Sequence, residues 1–232
     1  MKNIKITTFL LLLGTFSASA DIWRIEDDSR ISSYSSIEDF TNDNQSYDAA
    51  GPATYADDGW FQLNGIIYRS ADDGNIYSYN SINSFLNDTS TQLTTSGAFE
   101  NREFFVFNTL IYSVDMGSGK FYSYNSISDL TGNNIASSWL TAGPYAKDGF
   151  FATDDAIYRV KDAEGRLLKY STIEDYLANA NMTNLGIPDA DFALDAFFVI
   201  PEPATQGLLA AAGLSILACC RLSRHLNRRL DS

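Results

Sequence analysis

The sequence predicts an all-β fold of four repeats, each about 45 residues long, and three columns in register predict it. The first column is Ile22-Trp23-Arg24, Ile67-Tyr68-Arg69, Ile111-Tyr112-Ser113 and Ile157-Tyr158-Arg159, at spacings of 45, 44 and 46. The second is Tyr34-Ser35-Ser36-Ile37, Tyr79-Asn80-Ser81-Ile82, Tyr124-Asn125-Ser126-Ile127 and Tyr170-Ser171-Thr172-Ile173. The third is an aromatic pair: Trp60-Phe61, Phe104-Phe105, Phe150-Phe151 and Phe197-Phe198. A glycine column, Gly51, Gly97, Gly143 and Gly186, keeps nearly the same step.

Along the chain, residues 1–20 come first and read as a secretory signal. Lys2 and Lys5 precede an apolar run from Ile6 to Phe16. Ala18-Ser19-Ala20 then offers small residues to signal peptidase, so Asp21 is the expected mature N-terminus. The repeats occupy residues 21–200, enough for one ordinary domain.

The second unit has the clearest local code. Trp60-Phe61-Gln62-Leu63 reads as a strand, Asn64-Gly65 as a two-residue hairpin turn and Ile66-Ile67-Tyr68-Arg69 as the returning strand. Asp72-Asp73-Gly74-Asn75 turns again into Ile76-Tyr77-Ser78-Tyr79. A short helix follows in each unit. Ser36, Ser126 and Thr172 stand three residues before Asp39, Asp129 and Asp175, the spacing of a capping box; Ser81 has Ser84 there, a weaker version. A glycine-bearing connection leads to the next aromatic pair.

The ends of the repeat region suggest closure. The first unit begins at its middle strand, and the last is a lone aromatic-pair strand, Ala196-Phe197-Phe198-Val199. Together the two pieces make one unit. The expected architecture is therefore a four-bladed β-propeller-like ring, closed by pairing the C-terminal strand with the N-terminal hairpin, which leaves no open edge at the seam. The alternative is an open β-repeat solenoid or sandwich.

Residues 201–232 begin with Pro201-Glu202-Pro203-Ala204-Thr205, continue through an apolar stretch from Gly207 to Cys220, and end in a basic stop with Arg221, Arg224, Arg228 and Arg229. The stretch has the character of a marginal membrane span, and flanking arginines stay cytoplasmic. This three-part end closely resembles the PEP-CTERM sorting signal of Gram-negative bacteria. The resemblance covers only this segment and, at the other end, the signal peptide. It implies recognition by exosortase, a precursor held transiently in the inner membrane, and export to the cell surface or extracellular matrix. It also implies association with extracellular polysaccharide and biofilm.

The chemistry of residues 21–200 is narrow. Cys219, Cys220 and His225 all lie in the C-terminal segment, so the repeats hold no thiolate nucleophile, disulfide or histidine base. No phosphate-binding or dinucleotide motif is present. The expectation is a chain without enzymatic activity and without a required cofactor. A glycoside hydrolase using two carboxylates is the weakest reading, because nothing singles out a pair.

Residues 21–200 hold ten basic and 27 acidic residues, a net of −17 that repels nucleic acid. Ca²⁺ is a weaker expectation, resting on Asp72, Asp73, Asp189, Asp191 and Asp195 as oxygen donors in loops. The same residues are explained as turn formers. For function, the first reading is a structural or adhesive protein of an exopolysaccharide matrix. The alternative is a glycan-binding module, with Tyr47, Tyr55 and Tyr145 as contacts because they fall in connections rather than in the repeated columns.

Overall fold

Consecutive residues of a strand point to opposite faces of its sheet, so an aromatic pair on one strand serves two different cores. The structure, a computed structural model, follows that rule around a ring. It describes residues 20–26, 28–51, 58–71, 73–95, 99, 102–115, 118–141, 148–161, 166–186 and 195–201. Ser19–Pro201 forms one compact unit. The apolar segments at either end, with the cleavage-site Ala18 and the sorting residues Glu202, Pro203, Ala204 and Thr205, lie outside the described residues. Among the described residues no helix is long and apolar enough to cross a membrane.

The chain opens with β1 (Ala20–Ile25), β2 (Arg30–Tyr34), α1 (Ile37–Thr41) and β3 (Tyr47–Ala50). The second unit is β4 (Gly59–Leu63), β5 (Ile66–Ser70), β6 (Ile76–Tyr79), α2 (Ile82–Leu86) and β7 (Thr91–Leu93). The third is β8 (Arg102–Phe107), β9 (Leu110–Asp115), β10 (Lys120–Tyr124), α3 (Ile127–Thr131) and β11 (Ser137–Leu140). The fourth is β12 (Gly149–Ala152), β13 (Ile157–Lys161), β14 (Arg166–Tyr170), α4 (Ile173–Ala178) and β15 (Thr183–Asn184), and β16 (Ala196–Pro201) ends the ring. These strands form four antiparallel four-stranded sheets, ordered β16-β1-β2-β3, β4-β5-β6-β7, β8-β9-β10-β11 and β12-β13-β14-β15. The protein is a four-bladed β-propeller.

The seam is where the sequence placed it. β16 pairs with β1 from Ala20↔Pro201 to Ile25↔Ala196, so the last strand becomes the inner strand of the first blade. The inner strands β16, β4, β8 and β12 each contact the next around the ring.

Each aromatic pair splits between two interfaces. Trp60 lies with Phe198 and Trp23 between the first and second blades, while Phe61 lies with Phe104 between the second and third. Phe105 and Phe150 meet between the third and fourth, and Phe151 and Phe197 between the fourth and first. Each short helix adds one apolar residue to the same interfaces: Phe40, Phe85, Leu130 and Tyr176 are all buried. Phe85 stands edge-on to Trp60 at 5.2 Å and to Phe198 at 5.3 Å.

Two local findings refine the sequence reading. First, each blade has an outer strand after its helix, where the sequence suggested only a connection. Second, the reciprocal capping box forms at Ser81–Ser84, the position expected to be weaker. At Ser36, Ser126 and Thr172 the hydroxyl accepts from the amide three residues on, but the aspartate takes the hydroxyl proton rather than reaching back to the cap N–H. Aspartate is one methylene shorter than the glutamate that usually closes the box.

Two substitutions test the backbone. A Cβ on Gly59 would collide with the Arg102 carbonyl and stand 2.6 Å from the Phe104 ring, where the second and third blades meet. Gly59→Ala is expected to cost about 2–3 kcal/mol in urea unfolding by overpacking. Thr109 is a β-branched residue held at φ 68° in the β8–β9 turn. Thr109→Gly removes that strain and is expected to gain about 1 kcal/mol in the same assay.

Candidate functional site

The ring's polar chemistry collects where the inner strands begin. In three blades an aspartate stands two residues before the first aromatic of the pair: Asp58, Asp148 and Asp195. An arginine on the second strand lies opposite that aromatic, in the pairs Arg24↔Phe197, Arg69↔Trp60 and Arg159↔Phe150. Residues two apart on a strand share a face, so the acid and the base meet diagonally across the ladder.

Arg24 Nε donates to Asp195 at 2.6 Å, Arg69 Nε lies 3.5 Å from Asp58, and Arg159 donates to Asp148. All six side chains are buried. Burial works against the Arg24 charge, but the Asp195 carboxylate beside it prevails and holds its pKa above the ordinary value. A buried charge survives only with such a partner.

The tyrosine column completes each cluster. Tyr34, Tyr79 and Tyr170 donate to Asp43, Asp88 and Asn179 at 2.9, 3.0 and 2.8 Å. The acceptors end their helices with φ between 47° and 52°, a left-handed conformation that Asn and Asp tolerate. One residue type thus stops the helix and satisfies a buried phenol. Burial pushes the Tyr34 pKa up to about 12 and raises those of Tyr68, Tyr112, Tyr124 and Tyr170.

The third blade breaks the pattern. The acid's position holds Arg102 and the arginine's position holds Ser113. Arg102 Nη1 donates to the Tyr124 hydroxyl at 3.3 Å, and its guanidinium lies 4.8 Å from the Tyr122 ring and 5.4 Å from that of Phe99. Ser113 Oγ is fully buried and has no hydrogen-bond partner among the described residues.

The residues singled out from sequence fare unevenly. Tyr47 lies on β3, half-buried, with its ring 5.6 Å from Trp23, so it packs between blades instead of offering a free face. Asp73 accepts from the Asn75 amide and the Tyr77 hydroxyl within its own turn. Asp195 is the buried partner of Arg24 and no loop ligand. Among the described residues no group of three or more His, Cys, Asp or Glu is gathered as for a metal. Tyr55, Tyr145, Asp72, Asp189 and Asp191 lie outside the described residues, as do Arg221, Arg224, Arg228 and Arg229. Asp21, the expected mature N-terminus, is in β1 opposite Ile200, and Pro201 is the last residue of β16. The Arg–Asp clusters were missed, although Arg24, Arg69 and Arg159 stand in a column already aligned.

No protein-family model and no curated protein matches this chain. Among solved structures, the glutaminyl cyclase of Myxococcus xanthus is similar at 10% identity and a TM-score of 0.39, over 61% of this chain. The chain spans 57% of that structure's length. That protein is an enzyme, and the expectation of a chain without enzymatic activity is corrected against it. At this level of similarity the likeness brings no activity or substrate to this chain.

The clusters generate two predictions. Asp195→Asn removes the nearer of two carboxylates beside buried Arg24, leaving Glu26 at 3.7 Å, and is expected to cost about 3 kcal/mol in denaturant unfolding. Asp48→Asn, which removes the exposed pair with Arg30, is expected to leave the unfolding midpoint nearly unchanged. At high pH the buried tyrosines set the limit. Their folded pKa values lie above those of the unfolded chain, so their contribution is whole below about pH 10 and is lost as pH rises beyond it, for Tyr34 toward about 12. Absorbance at 295 nm should show these phenols ionising together with loss of the circular-dichroism signal. Complete tyrosine ionisation near pH 10 in a folded protein would contradict this.

Proposed function

We propose that this chain is an exported protein sorted by an exosortase-type system. It is made with a cleaved signal and a precursor anchored transiently in the inner membrane. Its propeller serves a structural or adhesive role at the surface, or in the exopolysaccharide matrix, of a Gram-negative bacterium. The observation that carries this reading is the order Pro201-Glu202-Pro203, apolar stretch, basic stop at the C-terminal end of the sequence.

The seam geometry supports it. Ala20 and Pro201 face each other at one end of the β1–β16 pair, so both expected processing junctions adjoin the same end of that pair. Cleavage at either junction leaves the register from Asp21↔Ile200 to Ile25↔Ala196 intact.

Intact-mass analysis of the protein exported from an exosortase-bearing host tests the reading. The expected product lacks residues 1–20 and the residues after about position 205. An exported product that retains Arg228 and Arg229 would contradict it.

A further inference from the structure

The same position occurs four times around this ring, so each blade is a control for the others. In three blades a buried guanidinium on the second strand is neutralised by a buried aspartate. In the third the guanidinium is still there, supplied by Arg102 from the inner strand and donating to Tyr124. What is missing is the carboxylate.

No described residue replaces it. Arg102 forms no ion pair with any described residue, and neither does Lys120. In the ladder Arg102 lies directly opposite Asp115 on β9. Lys120 begins the neighbouring β10, one residue before the Phe121↔Val114 pair, and so stands on Asp115's other side. The row therefore has two cations around one acid, and Asp115 Oδ1 accepts from the Ser118 amide. Arg102 and Tyr122 are half-buried and Lys120 is exposed, so solvent reaches them. Behind them the Ser113 hydroxyl is fully buried without a partner, at the position that arginine occupies in the other blades.

We infer that Arg102, held from behind by the buried Tyr124 hydroxyl, forms with Tyr122 and Lys120 a binding site for the carboxylate of a sugar acid, a single uronate on an otherwise neutral glycan. The carboxylate follows from the other three blades, where the guanidinium of the second strand binds one. Charge-assisted bonds from a guanidinium fork to a carboxylate are among the strongest available to a side chain. A single charge follows from the net of −17 over residues 21–200, which repels a polyanion but only weakly opposes one carboxylate. That the carboxylate is carried by a sugar rests on the matrix reading above.

The test is titration of the purified full chain with glucuronate, with glucose and with a short aspartate-containing peptide, by calorimetry. Glucuronate should bind and glucose should not. Arg102→Gln should weaken glucuronate binding by about tenfold or more. The double variant Arg102→Asp with Ser113→Arg rebuilds the closed pair of the other blades. It should fold, by circular dichroism, and lose glucuronate binding to at least the same extent.

Equal response to glucuronate and glucose would overturn the site. So would a folded variant of either kind that binds as well as the parent. Tighter binding of the peptide than of glucuronate would overturn the sugar assignment in favour of a protein partner. These readouts do not depend on export, so a negative result beside correct C-terminal processing removes this site alone.

Discussion

Closure of the ring is the constraint on which the rest depends. A blade of this size cannot bury its aromatics by itself, because each inner strand presents one ring to either side. Four blades give four interfaces only if the last meets the first. The β16–β1 pairing makes that meeting, joining residues 171 apart at the Arg24–Asp195 contact. It supplies Phe197 to one interface and Phe198 to another, so a single strand completes two of the four cores. The deepest ion pair of the first blade crosses the same seam.

The polar interior is organised by the same repeat. Buried arginine, aspartate and tyrosine appear where the inner strands begin, and three of the phenols are satisfied by residues with a second task. Asp43, Asp88 and Asn179 terminate helices and accept from phenols. The cost of burying charge is met pairwise in three blades, and this regularity makes the third blade informative. A repeat protein can change one unit's chemistry without disturbing the others, because each unit touches only its neighbours.

Much of this was legible in the residues. The aromatic pair is itself a statement about faces, and its recurrence at about 45 residues carried the blade number and the seam. Asn64-Gly65 named its hairpin turn, and both residues take positive φ, 53° and 81°. The outer strands were not legible. β3, β7, β11 and β15 have two to four residues each and lie mostly exposed, so no buried face imposes alternation on them. The Arg–Asp clusters were hidden for another reason. Their members come from different strands, and in the first blade from opposite ends of the fold, so no local spacing joins them. Ser113 interrupts the arginine column, and Arg102 supplies that blade's guanidinium from the inner strand instead.

The central claim is that β16 closes the ring and that every interface leans on it. Thermal unfolding of a chain ending at Pro201, compared with one ending at Asp195, tests this most directly. Loss of the strand should remove two aromatic anchors and the inner edge of the first blade. The shorter chain is then expected to melt many degrees lower and to aggregate. Equal melting temperatures and equal solubility would contradict the account, because they would mean that the four blades stand without the seam.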